Sequence, residues 1–169
     1  MADVINSLNA QFERLLTHLV AGCARQYGER LVSVAVFGSV GRGTQRPDSD
    51  IDLLIVAEGL PDGRLARAAE FRTIERGLAP HLERARADGL TTELSPVFKT
   101  PGEAEQASPL MLDMIEDARL LYDRDDFMKQ TLQRLAARLA RLNARRIWRG
   151  DAWHWDLKPN FQPGEVFGI

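Results

Sequence analysis

Apolar residues recur at helical spacing near the start of the chain. Ile5, Leu8, Phe12, Leu15, Leu19 and Cys23 fall three or four positions apart and share one face. The pattern predicts an amphipathic helix over residues 3–27, closed by Gln26-Tyr27-Gly28, with Cys23 as a small core residue rather than a nucleophile. The period then changes. Leu31 to Phe37 is short, β-branched and bounded by glycines, which reads as a buried strand. Gly38 to Asp48 reads as a loop, or a loop with one helical turn, and Ile51 to Val56 as a second strand.

Residues 62–88 return to the helical period, with Leu65, Phe71, Ile74, Leu78, Leu82 and Ala85 inward. Pro80 removes a backbone donor there and is expected to kink or split the helix. Leu90 to Phe98 reads as a third strand. A helix opens near Pro101 with Glu103 and Glu105 in its first turn, and Pro109 to Asp117 gives a further turn or two. Leu120-Leu121-Tyr122 suits a short fourth strand. Residues 125–146 form the clearest helix, with Met128, Leu132, Leu135, Leu139 and Leu142 inside and Arg134, Arg138, Arg141 and Arg145 outside. Asp123, Asp125 and Asp126 precede it as capping carboxylates. The tail, residues 147–169, carries all three tryptophans (Trp148, Trp153, Trp155) with Phe161 and Phe167. It reads as extended, packing its rings across the domain or a dimer, or offering a base a stacking platform.

At 169 residues, with no Gly/Ser/Pro-rich linker and no repeat, the chain reads as one α/β (α+β) domain. Its core covers about residues 31–122: a small mixed β-sheet flanked by helices, with a long C-terminal helix and an extended aromatic tail added. One cysteine rules out an internal disulfide, and the absence of a leader pattern or long apolar run makes a soluble cytoplasmic protein, with no membrane contact, the expectation. The net charge of −2 hides an asymmetry, because residues 129–149 hold seven basic and no acidic side chains. Such a stripe suits a polyanion such as RNA or a solvated helix face.

The chemistry concentrates between Gly38 and Asp52. Side chains alternate along a strand, so Asp50 and Asp52 project together, about 7 Å apart along it, while Ile51 and Leu53 face the core. Two crowded carboxylates repel unless a cation relieves them, and hard oxygen ligands suit Mg2+ with phosphate. Gly38 lets backbone amides approach an anion, the Ser39 hydroxyl adds a donor, and a helical turn there would favour phosphate further. Arg42 sits one turn on, within reach of a triphosphate. His18, His81 and His154 are explained by packing, and no zinc set, Walker A loop or dinucleotide fingerprint is present.

Phe37-Gly38-Ser39-Val40-Gly41-Arg42-Gly43 followed by Ser49-Asp50-Ile51-Asp52-Leu53-Leu54-Ile55 resembles the motif of the DNA polymerase beta-like nucleotidyltransferases, most closely the minimal ones. The resemblance implies the nucleotidyltransferase fold and Mg2+-dependent transfer of a nucleoside monophosphate from an NTP, ATP by expectation, to a hydroxyl of a protein, RNA or small molecule. It places two Mg2+ ions on Asp50, Asp52 and a third carboxylate, for which Glu93 is the choice, as ligand or base, with Asp113 and Glu103 in reserve. Gly38, Ser39, Arg42 and Ser49 would bind the nucleotide. It also leaves room for an antitoxin-like role beside a helical toxin-like partner, for a non-catalytic nucleotide-binding module, and for a homodimer.

Overall fold

A computed structural model describes residues 2–150 and 152–159. The amphipathic stretch forms α1 (Ala2–Tyr27), and Gly28, at φ +54°, turns the chain into β1 (Leu31–Phe37). A one-turn helix α2 (Gly38–Arg42) leads through a loop to β2 (Ile51–Ala57), followed by α3 (Arg64–Ala87), β3 (Leu94–Lys99), α4 (Pro101–Glu105), α5 (Pro109–Asp117) and β4 (Arg119–Asp123). Helix α6 (Phe127–Arg141) and a hairpin of β5 (Arg145–Arg149) and β6 (Ala152–Asp156) follow. The four-stranded sheet has the order β3-β2-β1-β4, with β2 parallel to β3 and β1 antiparallel to both neighbours β2 and β4. The mixed α/β architecture expected from the sequence is the one found.

Alternation along β1 and β2 divides the core in two. Val34, Val36, Ile51, Leu53 and Ile55 meet Phe12, Leu15, Leu19 and Cys23 of α1 and Phe71, Ile74 and Leu78 of α3. Ala35, Leu54 and Val56 meet Met111 and Met114 of α5 and Met128, Leu135 and Leu139 of α6 on the opposite face. Each fully buried Leu, Ile or Phe contributes about 1.5–3 kcal/mol through apolar area removed from water, so both layers matter. Cys23 is buried in the first layer as expected, and burial pushes its thiol up to about 12. No helix among the described residues is long and apolar enough to cross a membrane.

Five expectations need correction. The third strand begins at Leu94, not Leu90. Leu90 N–H closes α3 on the Ala85 carbonyl at 2.9 Å and Thr91 N–H bonds the Pro47 carbonyl at 2.8 Å, so residues 90 and 91 tie loops together instead of joining the ladder. Pro80 neither ends nor splits α3; it sits on the exposed side, where the carbonyl deprived of its partner can be hydrated. Leu65, in the first turn of α3, is 85% exposed rather than inward. The last helix spans Phe127–Arg141, not 125–146. Asp125 and Asp126 have φ +54° and +55°, and Asn143, at φ +55°, ends the helix in a Schellman turn with Ala144 N–H on the Leu139 carbonyl at 2.9 Å. Of the three aspartates only Asp123 caps, accepting from Met128 and Lys129 N–H at 2.9 and 3.0 Å. Arg145 therefore leaves the basic helical stripe, and it and Arg146 belong to β5. The tryptophans are extended as expected, within the hairpin, while Phe161 and Phe167 lie outside the described residues.

Candidate active site

The site begins where β1 and β2 lie side by side. Asp52 is the second residue of β2, paired with Phe37 of β1 and level with Ser95 of β3. It shares a face with Leu54 and Val56, beyond the part those residues fill. The chain leaves β1 at Gly38 with φ +63°, and a Cβ there would stand 2.3 Å from Asp52 Oδ2. Only glycine lets the backbone pass so close over a carboxylate. Asp50 precedes β2 by one residue and is exposed.

Burial raises the Asp52 carboxyl above its ordinary value of 3.8, and the charge of Asp50 raises it further; the Ser95 hydroxyl and Arg42 pull the other way. The first two dominate. Burial and a neighbouring like charge both make the ionised Asp52 carboxylate costly, a cost that a hard divalent cation on these oxygens would offset.

The connecting loop is held by its own polar groups. Ser49 Oγ accepts from Arg46 N–H at 2.9 Å, Thr92 Oγ1 donates to the Ser49 carbonyl at 2.7 Å, and Ile51 N–H donates to the Glu93 carbonyl at 2.8 Å. Ser49 therefore shapes the loop that delivers Asp50. The Ile51–Leu94 register, extended back by one residue, sets Glu93 level with Asp50. Glu93 lies just outside β3 and its side chain is exposed. Among the described residues no three His, Cys, Asp or Glu side chains gather as a metal-holding group, so Glu93 is aligned with the pair rather than joined to it.

The reserve carboxylates are otherwise engaged. Glu103 completes the capping box of α4 with Thr100 and pairs with Arg67 at 2.7 Å, which lowers its carboxyl to about 2. Asp113 accepts from the indole N–H groups of Trp153 and Trp155 at 2.8 and 3.1 Å.

Arg42 lies at the end of α2, and its Nη1 donates to Asp117 Oδ2 at 2.6 Å. Its guanidinium carbon lies 5.6 Å from the Trp153 ring centroid. A second arginine, Arg146, bonds both oxygens of Asp117 at 3.2 and 3.3 Å and packs 4.0 Å from the same ring. Sequence reasoning missed Asp117, Arg146 and Ser95. A signal existed for the first two: an acid at the end of the apolar helix 109–117 and an arginine inside an aromatic segment both need a buried partner. His18 and His81, remote in sequence, stack at 3.6 Å between α1 and α3, with nearly parallel rings at 23°.

A glycine turn thus passes over Asp52, with Asp50 just ahead of the same strand, in a mixed sheet covered by helices. Residues 19–95 match the family model described as nucleotidyltransferase domain. "Putative protein adenylyltransferase MJ1305" of Methanocaldococcus jannaschii is 32% identical over 130 residues, 76% of this chain and 83% of that protein. The chain belongs to the nucleotidyltransferase family, and it is an enzyme of that class. Solved structures similar to it include a toxin-antitoxin with AMP-PNP (20% identity, 74% of this chain and 90% of that one, TM-score 0.42). The toxin-antitoxin MntA-HepT also matches (17% identity, 77% and 92%, TM-score 0.41).

Proposed function

We propose that this chain transfers the adenylyl group of ATP, with Mg2+, to a hydroxyl of a protein side chain. The observation that carries the reading is the Gly38 backbone passing directly over Asp52, with Asp50 two residues before it, next to a turn able to offer amides to phosphate. The family match supports the reaction class, and the similarity to an adenylyltransferase named for protein acceptors favours a protein over RNA or a small molecule.

In this reading the acceptor oxygen bonds the α-phosphorus as the bond to the bridging oxygen breaks, and pyrophosphate leaves with that electron pair. Asp50 and Asp52 would hold Mg2+, which when bound supplies charge neutralisation for the phosphates and the leaving group. Gly38 and Ser39 would donate to the phosphate oxygens, and Arg42 would oppose their charge. Glu93, level with Asp50, would receive the acceptor proton or complete the ligand set. Ser49 would act on the nucleotide only through the loop it closes.

The acceptor is tested by incubating the protein with α-labelled ATP, Mg2+ and a cell lysate. The reading expects label that protease removes and ribonuclease does not. Label removed by ribonuclease alone would overturn the protein acceptor. ATP binding without turnover would instead favour a regulatory module.

A further inference from the structure

The hairpin β5–β6 is absent from the chemistry above, yet it is tied to α2, the turn that opens with Gly38-Ser39. The tie is Asp117, the last residue of α5, whose side chain is 5% exposed. A buried carboxylate is costly unless paired. Here one bond comes from Arg42 at 2.6 Å, and two come from Arg146 of β5 at 3.2 and 3.3 Å. Arg146 is itself 7% exposed and is further held by Glu116 at 2.8 Å and by the Trp153 face. The backbone repeats the contact: a Cβ on Gly41 would stand 2.3 Å from the Asp117 carbonyl oxygen, so α2 sits directly on the end of α5.

The geometry matters for Arg42. A free carboxylate captures an arginine through two parallel N–H bonds, whereas Asp117 holds Arg42 through one. Arg146 occupies both Asp117 oxygens, so the other N–H groups of Arg42 are not drawn into that pair. Arg42 closes the one-turn helix α2, whose first residue, Gly38, passes directly over Asp52.

We propose that Arg146 is a positioning residue for the nucleotide site: by fixing Asp117 it keeps Arg42 singly bonded, with its remaining N–H groups free for the phosphates of an NTP beside Asp52. The inference rests on the NTP reading above. It makes the C-terminal hairpin part of the nucleotide site rather than a decoration of it.

The test is a double-mutant cycle on the full chain, read as KM and kcat for ATP and as equilibrium affinity for a non-hydrolysable ATP analogue with Mg2+. Arg42→Met is expected to raise KM about tenfold, the weight of one charge-assisted hydrogen bond, with kcat changed less. Arg146→Met is expected to match it, Arg146→Lys to recover part of the loss, and Arg42→Met/Arg146→Met to cost no more than either change alone. Because Arg146→Met strands a buried carboxylate, Arg146→Met/Asp117→Asn provides a second variant without that charge; its single amide oxygen cannot take Arg42 through two bonds, so KM should recover relative to Arg146→Met. Unchanged KM and affinity in folded Arg146→Met, or losses that simply multiply in Arg42→Met/Arg146→Met, would overturn the proposal. A wild-type chain that binds no ATP analogue would overturn the NTP reading and the inference together, whereas wild-type binding with indifferent Arg146 variants would sink the inference alone.

Discussion

Replacing Gly38 by alanine adds one methyl group at the tightest point of the site. Two separate effects follow. An L-residue at φ +63° costs roughly 1–2 kcal/mol, which for a domain of this size lowers the melting temperature by about 2–8 °C. The new Cβ would also stand 2.3 Å from Asp52 Oδ2 and 3.3 Å from its Cγ. Non-bonded carbon and oxygen approach to about 3.3 Å, so the carboxylate or the turn must give way by about 1 Å. A displacement of that size in a reacting constellation costs about a hundredfold in rate. Pyrophosphate release from ATP with Mg2+ measures the second effect, and a thermal melt measures the first. Gly28→Ala separates them, because Gly28 has φ +54° but no atom within 4 Å of an added Cβ. That variant should lose comparable stability and keep its turnover. Gly38→Ala turning over like the wild type would refute the close-approach argument, and so would equal loss in both variants.

Other consequences follow from single groups. Asp52→Asn removes a carboxyl that burial and Asp50 make costly, so the melting temperature at neutral pH should rise without divalent cation while turnover disappears. A lower melting temperature would contradict that electrostatic assignment. Glu103 titrates near 2 in the fold against an ordinary value of 4.5, so its stabilisation is present above 4.5 and is lost as pH falls from 4.5 towards 2. Melting across that range should show the deficit of Glu103→Gln shrinking with acid; a constant deficit would place its cause elsewhere. Cys23, buried with its thiol raised to about 12, should react with iodoacetamide only as fast as the fold opens, and prompt alkylation of native protein would contradict its place in the core.

Local pattern carried much of this architecture. Strand β1 was read to the residue because glycines bound a β-branched run, and the start of α5 because proline suits the first helical position. The errors arise where distant partners decide. Leu90 looks like a strand residue, but its N–H is spent on Ala85 and its neighbour's on Pro47. Arg145 continues the polar face of α6 in sequence, yet Asn143 in the left-handed region ends that helix first. The candidate site divides the same way. Gly38, just after β1, and Asp52 of the neighbouring β2 lie within fifteen residues, so the short connection suffices to bring them together. Asp117 is 75 positions from Arg42 and 29 from Arg146, and only the packing of α5 against α2 and the hairpin unites them.

The central claim is that Asp50 and Asp52 serve a metal-dependent nucleotidyl transfer. It is tested most directly by giving the protein α-labelled and γ-labelled ATP in parallel, with Mg2+ and with a chelator. The expected result is covalent transfer of the α-label only and release of the γ-label in pyrophosphate. Both should vanish with the chelator and in the Asp50→Asn/Asp52→Asn variant. Transfer of the γ-label, or α-label transfer that survives loss of both aspartates, would contradict the account.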